Sequence, residues 1–300
     1  MEDREISDIL IRWYEENKRD LPWRRTSDPY LIWISEIILQ QTRVVQGLEY
    51  FNRFTERFPN VAALAMADED EVMKYWQGLG YYSRARNLHA AARQIMNDFS
   101  GVFPRTREEV LSLKGIGDYT AAAICSFAYR LPYATVDGNV FRVLARLFDI
   151  DLSIDGGEGK KYFTALAQSL LDERRPDLFN QAMMEFGALQ CVPKSPDCEH
   201  CRLNGTCLGL AARQVERLPV KSGKTVVKPR YFNYLYIHGQ GMTLLSKRME
   251  NDIWRNLYEF PLIETERAVT WEELSGMAVF QELFDGIEKV EITREYVAKK

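Results

Sequence analysis

Apolar residues recur at three- and four-residue intervals from residue 1 to about 213, broken by short Gly, Pro and Asp stretches at helical lengths, and no period-two alternation is sustained. This part of the chain is predicted to be all-α. Two helix starts are explicit. Asp28-Pro29 sets a capping side chain before a first-turn proline, and Thr106-Arg107-Glu108-Glu109 is a capping box ahead of Val110, Leu111 and Leu113, so helices are expected to begin near 29 and 107. The run from Leu31 to Leu39 is apolar on nearly every face and predicts a buried helix, interrupted by one acid, Glu36. Residues 214–230 turn polar and basic around two prolines and read as a linker. Beyond it, Tyr231 to His238 and Met242 to Lys247 are aromatic and β-branched enough for strands, and Gly239-Gln240-Gly241 between them predicts a hairpin. No internal repeat or low-complexity tract occurs.

Composition changes this picture little: 46% hydrophobic and 27% charged over 300 residues is globular material, long enough for two cores. The N-terminus lacks the basic start and apolar run of a signal peptide, and no stretch is long enough to span a bilayer. The expectation is a soluble cytoplasmic protein. Of five cysteines, four crowd between Cys191 and Cys207, which favours a metal centre in a reducing compartment over a disulfide framework. The formal net charge of −4 requires that any nucleic-acid partner be held by a local basic face.

Four segments carry candidate chemistry. Cys191-x6-Cys198-x2-Cys201-x5-Cys207 brings four soft ligands into one loop; zinc and an iron-sulfur cluster both suit sulfur, and a structural zinc knuckle is the plainer alternative. Cys125 lies apart in an apolar helix and reads as a small buried hydrophobe. In LSLKGIGDYTAAA, the turn Lys114-Gly115-Ile116-Gly117 joins a helix ending at Leu113 to one that Asp118 is expected to cap. This is a helix-hairpin-helix, whose glycines and free helix N-terminus suit a DNA phosphate, although an ordinary helix connection has the same form. Glu36 and Asp137 are two carboxylic acids in contrasting surroundings. Burial predicts that Glu36 titrates high, whereas Asp137, before the helix from Val140 to Phe148, is expected to stay ionised. A proton donor and an anion are what breaking a glycosidic bond requires, while a bare N-cap is the default role of Asp137. Finally, Gly78 to Arg86 interleaves tyrosines and arginines, as a wedge into a base stack would, or as a helix start with buried tyrosines would. The three histidines, His89, His200 and His238, share no context and receive no role.

Together LPWR at 21–24, SEIILQQT at 35–42, GLGYYSRARN at 78–87, LKGIGDYTAAA at 113–123, VDGNVFRVLAR at 136–146, FNQAMMEFGA at 179–188 and the cysteine loop resemble, in order, the MutY family of adenine DNA glycosylases. The resemblance covers residues 1–213. It implies a mainly α fold: a six-helix barrel module with the helix-hairpin-helix at about 24–131, and a cluster module at about 1–23 and 132–213 holding a 4Fe-4S cluster on Cys191, Cys198, Cys201 and Cys207. A smaller α+β Nudix-like domain over 231–300, expected to be incomplete, would follow. The implied activity is hydrolysis of the bond between adenine and its sugar in double-stranded DNA with adenine opposite 8-oxoguanine or guanine. Glu36 would protonate the leaving adenine, Asp137 would stabilise the cationic sugar, Asn139 would position the carboxylates and Tyr119 would complete the site. Arg24 and Gln181 would lie near the flipped adenine, Gln41 and Tyr81 would probe around the opposite guanine, and Lys114, Gly115 and Gly117 would hold the backbone. The resemblance implies a bacterial, nucleoid-associated monomer.

Some features depart from the pattern. The cysteine loop sets Lys194 and Arg202 against Asp197 and Glu199, the Glu-rich Nudix helix is missing, and no histidine follows His238 to complete the family's Phe-Ser-His loop. Two rival readings stand beside this one. An endonuclease III-like glycosylase and lyase for oxidised pyrimidines would carry a lysine in place of Tyr119, and a non-catalytic iron-sulfur DNA-binding protein would have no use for both Glu36 and Asp137.

Overall fold

The computed structural model describes residues 3–223, 228–249, 252 and 254–285. The chain divides into two units, Met1–Lys224 and Thr225–Lys300. The first is helical: α1 (Asp3–Asn17), α2 (Pro29–Leu39), α3 (Val44–Arg57), α4 (Val61–Met66), α5 (Glu69–Trp76), α6 (Ser83–Asp98), α7 (Arg107–Ser112), α8 (Asp118–Tyr129), α9 (Gly138–Leu147), α10 (Gly157–Leu170), α11 (Pro176–Leu189) and α12 (Leu208–Ala211).

Both explicit helix starts form as expected. The Asp28 carboxylate accepts from the Tyr30 amide at 2.9 Å, and Thr106 and Glu109 make the reciprocal capping box. In α2 the apolar run is buried on most faces, Glu36 included, whereas α6 buries one stripe of Ala85, Leu88, Ala91, Ala92 and Ile95 at helical spacing. These helices and their neighbours from α2 to α8 enclose one core, which runs from Leu21 to Cys125. A second core combines Ile6, Leu10, Ile11 and Tyr14 of α1 with α9, α10 and α11, so the N-terminal helix closes the module that carries the cysteines. Cys125 is fully buried in the first core, as a small hydrophobe would be.

Two boundaries are corrected. The linker expected from residue 214 begins later, because Leu218 is buried in the second core, Val220 accepts a hydrogen bond from the Ile154 amide, and Ser222 and Gly223 donate to Asp155. One apolar anchor inside a polar stretch suffices to pin it. Asp118 does not cap α8 either; Gly117 occupies the N-cap, and the Asp118 side chain turns to Arg107 at 2.5 Å.

The second unit is a small α+β body with β1 (Tyr231–Tyr234), β2 (His238–Gly239), β3 (Met242–Thr243), β4 (Ser246–Lys247), β5 (Tyr258–Glu259), β6 (Leu262–Thr265), α13 (Trp271–Ser275) and α14 (Ala278–Leu283). The predicted hairpin is present but short: β2 pairs with β3 across Gln240 and Gly241, both at positive φ. The longer runs do not pair with each other as expected. β1 pairs with β6 and β4 with β5, in antiparallel register, over a core of Ile263, Leu274 and Phe280.

The contact between α9 and α11 is close enough to exclude a side chain at Gly187, where a Cβ would lie 2.7 Å from the Asn139 Cβ and 2.9 Å from its carbonyl oxygen. Gly187→Ala is therefore expected to lower stability by about 1–3 kcal/mol. A urea midpoint unchanged from wild type, measured on the full chain, would show that this contact is slack.

Candidate active site

A cleft of about 1410 Å³ in the first unit is lined by Glu36 and Gln41 from the α2 end, Tyr119 from α8, Asp137 and Asn139 from the start of α9, Gln181 from α11, and Arg24. Seven of the fifteen residues singled out in the sequence thus meet in one place. Glu36 is only 7% exposed, and the Tyr119 hydroxyl donates to its Oε2 at 2.9 Å. Burial pushes its carboxyl up to about 7; the Tyr119 hydrogen bond and Arg24 oppose the shift, while the charge of Asp137 adds to it. The Tyr119 phenol is itself held well above its usual range by burial and by the two acids, so it remains a donor.

Asp137 caps α9. Its Oδ1 accepts from the Asn139 and Val140 amides at 2.9 and 2.8 Å, and its Oδ2 accepts from the Asn139 side chain at 2.8 Å. Burial raises the Asp137 pKa, and these donors with Arg142 offset that only in part. Asn139 thus binds Asp137 through both its amide and its side chain, and its own side-chain carbonyl is held by Arg142 at 2.8 Å.

Arg24 and Gln181 face the cleft already engaged. Gln181 accepts from the Tyr14 hydroxyl at 2.7 Å, and Arg24 makes a two-pronged pair with Glu185, both prongs at 2.8 Å. Glu185, absent from the sequence reading, is 1% exposed and also takes three bonds from Arg19. Burial would raise its pKa, but these five hydrogen bonds overrule it and hold the group down at about 2. Arg142 was missed as well. It stands three residues after Asn139 on the same helix face, the signal that could have found it, and donates to the Gly187 and Cys191 carbonyls at 2.6 and 2.8 Å.

The other candidates lie outside the cleft lining. In the helix-hairpin-helix turn, Gly115 has φ +79°, and a Cβ there would meet Asn87 at 2.6 Å; Gly117 has open space where a Cβ would be, and Lys114 is exposed. Within Gly78 to Arg86, Tyr81 is 54% exposed at φ +47° and Tyr82 is half-buried, so of the two rings only that of Tyr81 is exposed. Cys191, Cys198, Cys201 and Cys207 are free thiols around a second, small cavity of about 30 Å³ walled by Val143, Leu147, Phe186 and Leu203. Among the described residues, no three His, Cys, Asp or Glu side chains converge closely enough to hold a single metal ion. The Arg146 guanidinium lies 3.5 Å from the Cys191 sulfur, and the Leu203 amide 3.4 Å from that of Cys201. The loop's own cations offer little free charge: Arg202 pairs with Glu16, leaving Lys194 exposed.

Residues 34–170 match the model of the HhH-GPD superfamily of base excision DNA repair proteins. The chain is 34% identical over 268 residues to an adenine DNA glycosylase of Buchnera aphidicola from Acyrthosiphon pisum, covering 89% of this chain and 77% of that protein. It is 40% identical over 218 residues to the human adenine DNA glycosylase, covering 70% of this chain and 40% of that one. Among solved structures, a thermostable thymine-DNA glycosylase superposes with a TM-score of 0.63 at 30% identity, over 70% of this chain and 97% of that one. Endonuclease III in a trapped DNA covalent intermediate shares the fold, with a TM-score of 0.61 at 21% identity over 71% and 99% of the two chains. No helix among the described residues is long and apolar enough to cross a membrane.

A carboxyl group at about 7 in the folded protein and 4.5 when free is charged in the unfolded chain before it is charged in the folded one. Folding therefore loses stability as pH rises from about 4.5 to about 7, by on the order of 3 kcal/mol in all. Glu36→Gln should remove this loss, making the variant more stable than wild type at pH 8 and equal to it below pH about 4.5. Denaturation curves of the two proteins that run parallel across that range would contradict the burial of the charge.

Proposed function

The chain belongs to the adenine DNA glycosylase family and removes adenine from DNA in base excision repair, and for this chain we propose that the adenine removed is the one mispaired with 8-oxoguanine or guanine. The observation that carries the catalytic assignment is Glu36, a buried carboxyl group held at about 7 by burial and hydrogen-bonded to Tyr119, in the same cleft as Asp137.

The chemistry follows from those surroundings. Adenine must leave the base stack before its glycosidic bond can be reached, at an unstacking cost of about a few kcal/mol. Glu36, carrying its proton near neutral pH, gives it to a ring nitrogen of the extruded adenine as the bond between that base and C1′ breaks, and the bonding pair departs with the base. The sugar is left with oxocarbenium character. Asp137, whose anion is held by three hydrogen bonds at the end of α9, stabilises that cation until water supplies the hydroxyl at C1′. Asn139 fixes the orientation of Asp137, and Arg24 and Gln181 border the adenine. Tyr119 carries a phenol where a strand-cleaving relative would need an amine, so base removal proceeds without Schiff-base formation. Gln41 and Tyr81 supply the contacts around the opposite guanine, and Lys114, Gly115 and Gly117 grip the phosphate backbone. One chain forms the whole cleft, in keeping with a monomer.

Four thiols around one small, largely apolar cavity, two of them near N–H donors, fit a 4Fe-4S cluster, which would be held by Cys191, Cys198, Cys201 and Cys207. When bound, that group would cross-link the loop between α11 and α12 and would supply no step of the base excision.

Glycosylase assays on duplexes containing adenine opposite 8-oxoguanine, adenine opposite guanine, and thymine glycol test the substrate assignment; excision of thymine glycol alone would favour the endonuclease III-like reading. Glu36→Gln should keep DNA binding while excision falls by at least about a hundredfold. Asp137→Asn should be severely impaired through loss of the charge facing the sugar, and wild-type rates in either variant would refute its role. The purified protein should be brown with about four irons per chain, and Cys198→Ser should lose iron and solubility together. Colourless protein with stoichiometric zinc would overturn the cofactor.

A further inference from the structure

Arg84, in the first turn of α6, points inward. Its Nη1 donates to the carbonyls of Ile37, Ile38 and Gln40 at 2.8, 3.2 and 2.5 Å, and its Nη2 lies 3.3 Å from those of Leu79 and Gly80. One guanidinium thus gathers five carbonyls from two segments some forty residues apart in sequence. Its carbon lies 5.2 Å from the centre of the Trp76 ring and 5.7 Å from that of Tyr81. Trp76 reinforces the same loop through a hydrogen bond from its ring nitrogen to the Gly80 carbonyl at 3.1 Å.

What these carbonyls adjoin gives the contact its meaning. Ile37 and Ile38 lie in the last turn of α2, the helix that carries Glu36, and Gln40 directly follows that helix. Their carbonyls belong to a helix end that lacks its own partners and attracts a cation. Immediately after Gln40 stands Gln41 at φ +59°, and immediately after Gly80 stands Tyr81 at φ +47°. Both are exposed non-glycine residues in the left-handed region, a conformation that persists only where the surroundings over-determine it. The same guanidinium holds the carbonyl that immediately precedes each of them. The Arg84 Nε is buried without a hydrogen-bond partner, which fits a side chain placed by what it clamps rather than by its own full satisfaction.

We propose that Arg84 is a positioning residue that locks the Gln41 loop and the Tyr81 loop into one rigid pair of probes, which enter the DNA beside the mispair as a unit. The proposal rests on the reading of Gln41 and Tyr81 as DNA probes. Lysine cannot replace arginine in this role, because a single ammonium offers three donors at one point and cannot span both loops with a planar fork.

The experiment is a double-mutant cycle in the full-length protein with Arg84→Lys and Tyr81→Ala. It reads the unstacking of 2-aminopurine placed beside the 8-oxoguanine, together with the preference for mispaired over matched duplex. Active-enzyme titration counts out any unfolded fraction, and the single-turnover excision rate at saturating enzyme reports the chemical step separately. Each single variant should lose roughly tenfold in mispair preference with a much smaller change in the saturated rate, and the double variant should lose no more than the worse single. Wild-type unstacking and preference in Arg84→Lys, or losses that multiply in the double variant, would overturn the proposal. If Arg84→Lys is normal while Tyr81→Ala is impaired, the clamp is refuted and Tyr81 remains a probe. If Tyr81→Ala is itself normal, the probe reading fails and the clamp with it. A cycle of Gln41→Ala with Tyr81→Ala tests the same unit should Arg84→Lys not fold: multiplying losses would show two independent loops.

Discussion

Everything in the cleft depends on keeping one carboxyl group out of water. Glu36 occupies the middle of a helix whose neighbours Ile34, Ile37 and Ile38 are all buried, and burial outweighs both the Tyr119 hydrogen bond and the pull of Arg24 on its proton. A solvated glutamate would have given up its proton long before neutral pH. The barrel core is therefore part of the chemistry as well as a scaffold: the packing of α2 on α8 both dries Glu36 and brings the Tyr119 hydroxyl to it. The balance also explains the charge next door. Glu185 absorbs Arg19 and Arg24, so the Arg24 guanidinium in the same cleft as Glu36 is already matched by a buried anion and draws less on the proton of Glu36.

The second acid is held by opposite means. Asp137 faces three donors and the positive end of a helix, yet it too is buried enough that its pKa rises rather than falls. The charge of Asp137 disfavours ionisation of Glu36, which helps that acid keep a proton beside its neighbour. Asp137 is also the first member of a ladder along α9. Asn139 joins it to Arg142, Arg142 reaches the Cys191 carbonyl, and Arg146, one turn on, reaches the Cys191 sulfur and the carbonyls of Val192 and Pro193. The cysteine loop thereby braces the helix whose start holds the anion.

How far the sequence reveals this depends on whether a property is local. Burial of Glu36 was legible because the residues around it are apolar on every helical face, and the Asp28 and Thr106 caps were legible because capping acts over three residues. Gly115 could be read as a turn for the same reason. The partner of Glu185 was not legible, since Arg19 and Arg24 lie more than 160 residues earlier. Strand pairing failed likewise: Tyr231 to Tyr234 look ready for the next strand, but their partner is Leu262 to Thr265, chosen by a core that no local pattern displays. Arg84 was not legible either, because nothing local in a segment with two arginines shows which guanidinium turns inward.

A protein of net charge −4 that grips DNA must do so at short range. The cleft is lined by seven Lys and Arg side chains against four acids, one of which, Glu36, tends to stay neutral. At physiological ionic strength the Debye length is about 8 Å, so acids on distant faces do not repel the duplex strongly at this mouth, and the cleft's own cations attract it only over a similar range. The proposed grip of the hairpin would add helix-end N–H groups, which suit a phosphate oxygen without needing a field. Weak steering has a consequence for recognition. With little long-range electrostatic gain on any duplex, matched or mispaired, discrimination falls to contacts made after docking, where a probe that yields when pushed into the stack would waste the strain it is meant to transmit. On the proposed reading of Gln41 and Tyr81 as probes clamped by Arg84, their rigidity would be the physical complement of the acidic overall charge: a chain with little long-range attraction for DNA would depend on the stiffness of what it inserts.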